Sequence, residues 1–156
     1  RAAAARSPAM PRFVIYGAFG WCAEIVWTAA WAYVSGVRHD PAVPGGAVAL
    51  DRCERLRLVG HTYLWMFPIY GLGGLMFERC HEVVRAWPWL ARGALWTALI
   101  FAVEYATGWL LRRATGACPW DYGGARFSVG GLIRVDYAPA WFAFGLLLER
   151  LHDALA

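Results

Sequence analysis

Two glutamates lie near the middle of long apolar segments. Glu24 is the only charged residue in 13–36, and Glu104 is the only charged residue in 93–111. A carboxylate at the centre of a membrane-spanning helix costs about 2.5–3.5 kcal/mol on insertion scales, so it normally faces a protein interior or a water-filled cavity. Such a group could bind a proton, a cation or a substrate. The alternative is that each glutamate is protonated and only hydrogen-bonds a neighbouring helix.

Each glutamate shares a helix face with small and hydroxyl-bearing residues, because they recur at spacings of three and four. These residues are Gly17, Gly20 and Thr28 around Glu24, and Thr97, Thr107 and Gly108 around Glu104. Small residues allow close helix approach, and Thr28 is spaced to hydrogen-bond Glu24. If the two faces meet, the carboxylates lie in one dry site, where they share a proton or bind a cation.

Two prolines are placed to open a helix at its start. Pro68, within WMFPIYGLGG, and Pro139 each remove a backbone donor and disfavour helix at the preceding residue. Backbone groups freed near Tyr70 and Gly71 would line a cavity, where irregular backbone is tolerated in a membrane. These two residues therefore join Glu24, Thr28, Glu104 and Thr107 in the predicted ion or substrate pathway. The alternative is a proline in the first turn of an ordinary helix.

A third polar group is the segment Trp120, Asp121 and Tyr122, which follows Cys118-Pro119. Asp121 is expected to cap a turn or to pair with an arginine such as Arg134, so the segment is predicted to be a structural latch. With His61 and Arg134, which precede two of the apolar segments, it could also form a polar vestibule above the two glutamates.

Four apolar segments can position these residues, since about 20 residues cross a bilayer. They are 13–36, 62–80, 93–111 and the short segment 135–148, which is tilted, protein-buried or continued through 149–156. The link 37–60 contains PAVPGG and is predicted to be an exposed loop with a short surface helix at 52–57. The link 112–134 is glycine-rich and aromatic, so it is expected to fold back onto the helices.

The second and fourth segments align without gaps. Eight residues recur 71 positions later: Gly60, Pro68, Gly74, Leu75, Glu78, Arg79, His81 and Glu82 match Gly131, Pro139, Gly145, Leu146, Glu149, Arg150, His152 and Asp153. The first and third segments also align, since Glu24 and Gly36 correspond to Glu104 and Gly116 at an offset of 80 positions. Chance matching in an apolar composition is the alternative.

The predicted fold is an all-α integral membrane protein with four transmembrane helices. The helices form two tandem αα-hairpin repeats, about 13–86 and 93–156, with a folded loop before the fourth helix. Residues 13–156 make one domain, and 1–12 is an N-terminal extension or a cloning remnant. Such tandem hairpins would be related by an axis along the membrane normal.

Composition narrows the function. Only 17% of residues are charged, against about 25% in soluble domains, and the ten tryptophans suit membrane interfaces. All 15 basic residues are arginines scattered between apolar runs, which excludes a nucleic-acid surface. Cys22, Cys53, Cys80 and Cys118 lack metal-ligand spacing and are predicted to be free thiols, with a Cys53–Cys118 disulfide as the alternative. No catalytic motif, metal site or cofactor site is found.

Five motifs carry a resemblance to known protein families. In chain order they are GWCAEIVWTA, WMFPIYGLGGLMFER, VEYATGWLL, CPWDY and GGLIRVDYAPAWF. The chain resembles the transmembrane protein 229 family over about 13–149, and it is similar to the CmpB-type family labelled ABC-transporter permeases. The resemblance implies a multi-pass membrane protein. The signature positions are Glu24, Pro68, Ile69, Tyr70, Gly71, Glu104, Thr107, Gly108, Trp120, Asp121 and Tyr122.

The predicted function is that of a small permease-like transporter in the plasma or bacterial inner membrane, with Glu24 and Glu104 as its binding carboxylates. The alternative is a non-transporting structural or assembly subunit, in which the glutamates only join helices. A lipid-modifying enzyme, with His61 and Asp121 as its candidate pair, is a third and weaker reading. Expected partners are the lipid bilayer, a second copy, and an ABC-type ATPase or another membrane subunit.

Overall fold

The computed structural model describes residues 9–39 and 47–155, and this part of the chain is mostly helical. The elements follow in the order α1 (Ala9–Ser35), β1 (Val37–His39), β2 (Ala47–Ala49), α2 (Arg52–Leu56), α3 (Met66–Val84), α4 (Trp89–Thr115), β3 (Ser128–Val129), β4 (Ile133–Arg134), a 3₁₀ turn (Val135–Tyr137) and α5 (Ala138–Leu155). The described chain divides into two compact units. One contains residues 9–12 and 73–155, and the other contains residues 13–72.

Within residues 9–39 and 47–155, two helices, α1 and α4, are long and apolar enough to cross a membrane. Each has 27 residues, so both extend beyond the predicted segments 13–36 and 93–111 at their N-terminal ends, and α4 also extends at its C-terminal end. Each is followed by a left-handed glycine, Gly36 with φ 69° and Gly116 with φ 78°. Glycine adopts this conformation without a Cβ penalty, and the cap N–H closes onto the last turn. The amide of Gly36 bonds Ala32, and that of Gly116 bonds Arg112.

Helices α3 and α5 begin with the two prolines in their first turns. Pro68 is the third residue of α3 and Pro139 is the second residue of α5, positions where a missing N–H costs no intrahelical bond. Tyr70 and Gly71 therefore lie inside a regular helix and not in an opened segment. Helix α5 continues to Leu155, as one of the alternatives for the fourth segment describes.

The described links between the helices include two small antiparallel ladders, so the all-α prediction was incomplete. Strand β1 pairs with β2, with Val37 opposite Ala49, and β3 pairs with β4, with Val129 opposite Ile133. The predicted surface helix at 52–57 corresponds to α2, which begins with a capping box: Asp51 accepts from the Glu54 amide at 2.8 Å. The predicted PAVPGG loop lies outside the described residues.

In the unit made of 9–12 and 73–155, a small apolar core forms where α3, α4 and α5 pack. Its buried members are Phe77, Val84 and Trp96, and the Phe77 and Trp96 rings have centroids 4.1 Å apart. Gly145 lets α5 approach α4 closely, because a Cβ there would lie 2.3 Å from the Trp96 Cβ. All four cysteines are free thiols, as predicted.

We expect Gly145→Ala to lower the free energy of unfolding by about 1–3 kcal/mol, because overpacking forces the α4–α5 contact apart. Gly73→Ala is the matched control, since a Cβ at Gly73 meets nothing within 4 Å. That variant should gain about 0.5–1 kcal/mol from the better helix propensity of alanine. Unfolding by denaturant in mild detergent measures both changes. Equal effects of the two substitutions would contradict the packing argument.

Candidate functional site: hydroxyl-held and arginine-held acids

Glu24 is half-buried on α1 and is held by a hydroxyl group in the segment before α3. The Thr62 hydroxyl donates to Glu24 Oε2 at 2.6 Å. Thr28, predicted to bond Glu24, instead binds the backbone of His61: it donates to the carbonyl at 3.0 Å and accepts from the amide at 2.9 Å. The close approach needs Gly60, since a Cβ there would lie 1.9 Å from the Ile25 carbonyl oxygen.

Glu104 is half-buried on α4 and is also held by a hydroxyl from the segment before the next long helix. The Tyr122 phenol donates to Glu104 Oε1 at 3.2 Å. Thr107 turns its hydroxyl back to the Val103 carbonyl of its own helix, at 2.6 Å. Each mid-helix glutamate therefore accepts a hydrogen bond from a neutral hydroxyl that follows it in the chain.

The loop before α5 folds against α4, and its aromatic residues make the contact. The Trp120 indole donates to the Leu132 carbonyl at 3.0 Å, and its ring edge lies beside Gly108. Asp121 caps a turn by accepting from the Gly123 amide at 2.9 Å. The segment thus forms the turn cap that is one of the two roles considered for Asp121.

Arg134 pairs with Asp136 in the 3₁₀ turn that precedes α5. The Arg134 guanidinium also lies 4.4 Å from the centroid of the Tyr137 ring. Its hydrogen bonds hold the pKa of the Asp136 carboxyl below its usual range.

The predicted pathway residues fall into both units. Glu24, Thr28, His61, Tyr70 and Gly71 belong to the unit 13–72, whereas Glu104, Thr107, Trp120–Tyr122 and Arg134 belong to the other unit. The pairing of Glu24 with Glu104 and the polar vestibule each require residues from both units, so they stay predictions. Within the unit 13–72, the Tyr70 ring covers Gly20 and the Phe13 ring covers Gly71.

A second group of ionisable residues is buried at the C-terminal halves of α3 and α5. Glu78, His81, Glu149 and His152 are between 3% and 6% exposed. We call these four, together with Glu82, Asp153, Arg12 and Arg92, the His–acid cluster. All eight lie in the unit that contains residues 9–12 and 73–155.

Each buried glutamate of the cluster is held by an arginine. Arg12 Nη1 donates to Glu78 Oε2 at 2.6 Å. Arg92 donates to Glu149 through Nε at 2.8 Å and through Nη2 at 3.0 Å, and the Trp96 indole adds a bond of 2.8 Å. Charge-assisted bonds of this kind are stronger than bonds between neutral groups, and the bidentate geometry at Glu149 also fixes the orientation of the carboxylate.

The two histidines of the cluster cross between α3 and α5. His81 Nδ1 lies 3.6 Å from Glu149 Oε1, and its Nε2 lies 3.6 Å from Asp153 Oδ1. His152 Nδ1 lies 3.8 Å from Glu78 Oε1, and its Nε2 lies 3.6 Å from Glu82 Oε1. The ring centroids are 5.2 Å apart.

Sequence reasoning used these residues only as evidence for a repeat and missed them as a site. The available signal was the pattern Glu-Arg-x-His-acid at the end of both α3 and α5, which places an acid and a histidine three residues apart on one helix face. The arginines that hold the acids come from α1 and α4, 66 and 57 residues away, and no local pattern links them.

A family model described as "Putative ABC-transporter type IV", the CmpB family, matches residues 12–156. The chain belongs to this family. The match spans nearly the whole chain and includes the His–acid cluster and both hydroxyl-held glutamates. Membership in the CmpB family and the two long apolar helices together indicate a membrane protein of transporter type. The likeness to the transmembrane protein 229 family stays a resemblance. No solved structure matches the chain.

Proposed function

We propose that the chain is a multi-pass permease-like membrane protein in which Glu24 and Glu104 bind the transported proton, cation or polar substrate. The observation that carries the proposal is that each of the two long apolar helices holds a half-buried glutamate whose carboxylate accepts from a neutral hydroxyl. A carboxylate bonded in this way keeps acceptor capacity for a proton or a cation. Glu78 and Glu149, by contrast, are bonded to arginines.

The proposal includes four membrane-spanning helices, α1, α3, α4 and α5. Helices α3 and α5 have 19 and 18 residues, which gives each a length of about 27–29 Å, close to the hydrocarbon thickness. Large apolar side chains are exposed on the long helices, among them Val26 and Val34 on α1 and Leu110 on α4. Apolar surface outside and ionised groups inside suit a lipid environment.

The proposal also includes two tandem hairpin repeats, one made of α1 and α3 and the other of α4 and α5. The ion pair Arg12–Glu78 corresponds to Arg92–Glu149 at the offsets of 80 and 71 found in the sequence. A ring-on-glycine contact also recurs, with the partners exchanged: Phe13 covers Gly71, whereas Phe142 covers Gly93. Exchanged partners that fill the same space favour a common hairpin geometry over chance matching.

Transport can be tested with the full chain reconstituted in liposomes that carry a pH-sensitive dye inside. We expect an imposed proton or potassium gradient to collapse faster in these liposomes than in protein-free liposomes. Sodium and potassium gradients, compared at fixed pH, separate cation flux from proton flux. Rates equal to those of protein-free liposomes for all three ions would leave a polar substrate as the only transport reading.

The second candidate is a non-transporting assembly subunit, favoured by the exposed apolar side chains on α1, which include Trp27, Trp31 and Val34. Such a surface is buried equally well by another membrane protein. Purification of the tagged chain in mild detergent tests it. A second protein recovered in stoichiometric amount supports the assembly role, and an ABC-type ATPase among the recovered proteins supports the permease role.

A further inference from the structure

Helix α2 is fixed at the C-terminal end of α1. The Leu50 amide donates to the Gly36 carbonyl at 2.8 Å, and the Arg55 guanidinium lies against Gly36, where a Cβ would be 1.9 Å from Nη2. Helix α1 has 27 residues and a length of about 40 Å, whereas the hydrocarbon of a bilayer is about 30 Å thick. If α1 crosses the membrane, α2 therefore lies at the level of the lipid headgroups.

The outward face of α2 combines basic and apolar side chains. Arg52, Cys53 and Leu56 share this face, because they are three and four residues apart. Arg57 follows at the helix end, and all four residues are exposed. Leu56 is 68% exposed and Leu58, one residue beyond Arg57, is 58% exposed. We call these five residues the α2 surface.

Leu58 is exposed in a backbone conformation that costs energy. Its φ is 48°, and among the described residues other than glycine it alone has a positive φ. A bulky side chain rarely adopts this left-handed conformation. Because the side chain points away from the described chain, internal packing does little to offset the cost. A strained apolar residue that faces outward is a candidate for contact with another molecule.

The charges of the α2 surface favour an anionic ligand. Residues 51–59 contain three arginines and two acids. Both acids serve the capping box: the Glu54 amide donates to Asp51 at 2.8 Å, and the Asp51 amide donates to Glu54 at 3.1 Å. Arg52 and Arg57 form no ion pair with any residue in the described part of the chain. Arg38 in β1 is half-buried and has an interaction of its own, so it is not counted with this surface.

An anionic phospholipid matches both the basic and the apolar part of the α2 surface. Guanidinium groups bind phosphate through two parallel hydrogen bonds. Exposed leucines on a short helix at the headgroup level enter the boundary between headgroups and acyl chains. Free phosphate would leave Leu56 and Leu58 in water, and an apolar protein face would leave two guanidinium groups without a counter-charge.

We propose that the α2 surface binds anionic phospholipid at the membrane face where α1 ends. Arg52 and Arg57 bind the lipid phosphate, and Leu56 and Leu58 enter the boundary below it. The inference rests on α1 crossing the membrane. It does not rest on transport, because a transporting and a non-transporting membrane protein can both bind lipid in this way.

The test is fluorescence quenching by spin-labelled lipids, with the exposed thiol of Cys53 as the labelling site. Cys22, Cys80 and Cys118 are replaced by alanine, and the full chain carries bimane on Cys53. The chain is reconstituted in phosphatidylcholine nanodiscs. These contain an equal mole fraction of phosphatidylglycerol or of phosphatidylcholine with a nitroxide near the carbonyl end of the acyl chain.

We expect both spin-labelled lipids to quench the bimane, and phosphatidylglycerol to quench it more strongly. The excess should fall as salt is added, since exposed charges are screened. Absence of quenching by either lipid would mean that water or another protein covers the α2 surface, and it would overturn the proposal. Equal quenching by the two lipids at low salt would overturn it as well.

Substitutions separate the basic part of the surface from the apolar part. Arg52→Gln and Arg57→Gln should each lower the preference for phosphatidylglycerol about fivefold, the effect of one arginine beside an anionic membrane surface. Quenching by phosphatidylcholine should remain. Leu56→Gln should instead weaken the quenching by both lipids, because the probe then lies further from the acyl chains.

Arg113→Gln is the matched control, since Arg113 is exposed at the end of α4 and lies outside the α2 surface. It should change neither the preference nor the quenching by phosphatidylcholine. A loss of preference as large as that of Arg52→Gln would show that the overall charge attracts the lipid, and it would overturn the assignment to this surface. If a variant does not fold, the comparison of the two lipids on the unsubstituted surface decides alone, independently of any flux.

Discussion

Replacing Glu149 by leucine is expected to lower the free energy of unfolding by about 3–5 kcal/mol, the cost of breaking a buried ion pair by removing one partner. The Glu149 side chain is 7% exposed and binds Arg92 and Trp96. Its loss leaves the guanidinium without its carboxylate and the indole N–H without an acceptor. Denaturant unfolding in mild detergent, followed by tryptophan fluorescence, measures the change.

The double variant Arg92→Met with Glu149→Leu separates an uncompensated charge from a general packing defect. Replacing both members of a buried pair by apolar residues is often neutral or stabilising, so this variant should recover most of the loss. Arg150→Met, one position further along α5 and exposed, is the matched control and should change the free energy by less than about 0.5 kcal/mol. A double variant as unstable as Glu149→Leu would show that the pair is not the cause.

The apolar runs were sufficient to place the long helices, because a run of about 20 apolar residues without breakers has few other stable forms in lipid. The sequence also located Gly36 and Gly116 as matching positions, and both adopt the left-handed conformation that ends a helix. The second apolar segment was predicted to begin at residue 62, four residues before the observed start of α3 at Met66. Side chains of α1 bind the backbone of the preceding segment, Thr28 at His61 and Trp21 at Tyr63.

The short strands and the His–acid cluster could not be predicted from the sequence, for physical reasons. Strands β3 and β4 have two residues each, too few for an alternating pattern to be visible. The His–acid cluster is assembled from α1, α3, α4 and α5, and the sequence does not show which arginine reaches which glutamate. Glu78 and Glu149 also stood at the ends of apolar segments, where charges are ordinarily solvent-exposed anchors, so their burial became visible only in the folded chain.

Glu24→Gln and Glu104→Gln are each expected to reduce proton or cation flux in liposomes to the rate of protein-free liposomes. Glutamine keeps the size of glutamate and still accepts the hydrogen bond from Thr62 or Tyr122, so the helix contacts survive. It neither binds a proton nor carries the negative charge that attracts a cation. The fold should therefore remain while the flux is lost, which size-exclusion profiles and unfolding curves recorded on the same samples would show.

Glu54→Gln is the matched control for these two substitutions. Glu54 is half-buried in the short helix α2, and glutamine also serves at this position of a capping box, so both folding and flux should equal those of the wild type. If Glu24→Gln and Glu104→Gln both fail to fold, the glutamates serve as helix-to-loop contacts and the assembly role gains support. If both variants fold and transport at the wild-type rate, the carboxylates bind nothing that is transported. A loss of flux in only one of them would mean that one hairpin carries the binding site and that the equivalence of the two repeats is limited to their packing.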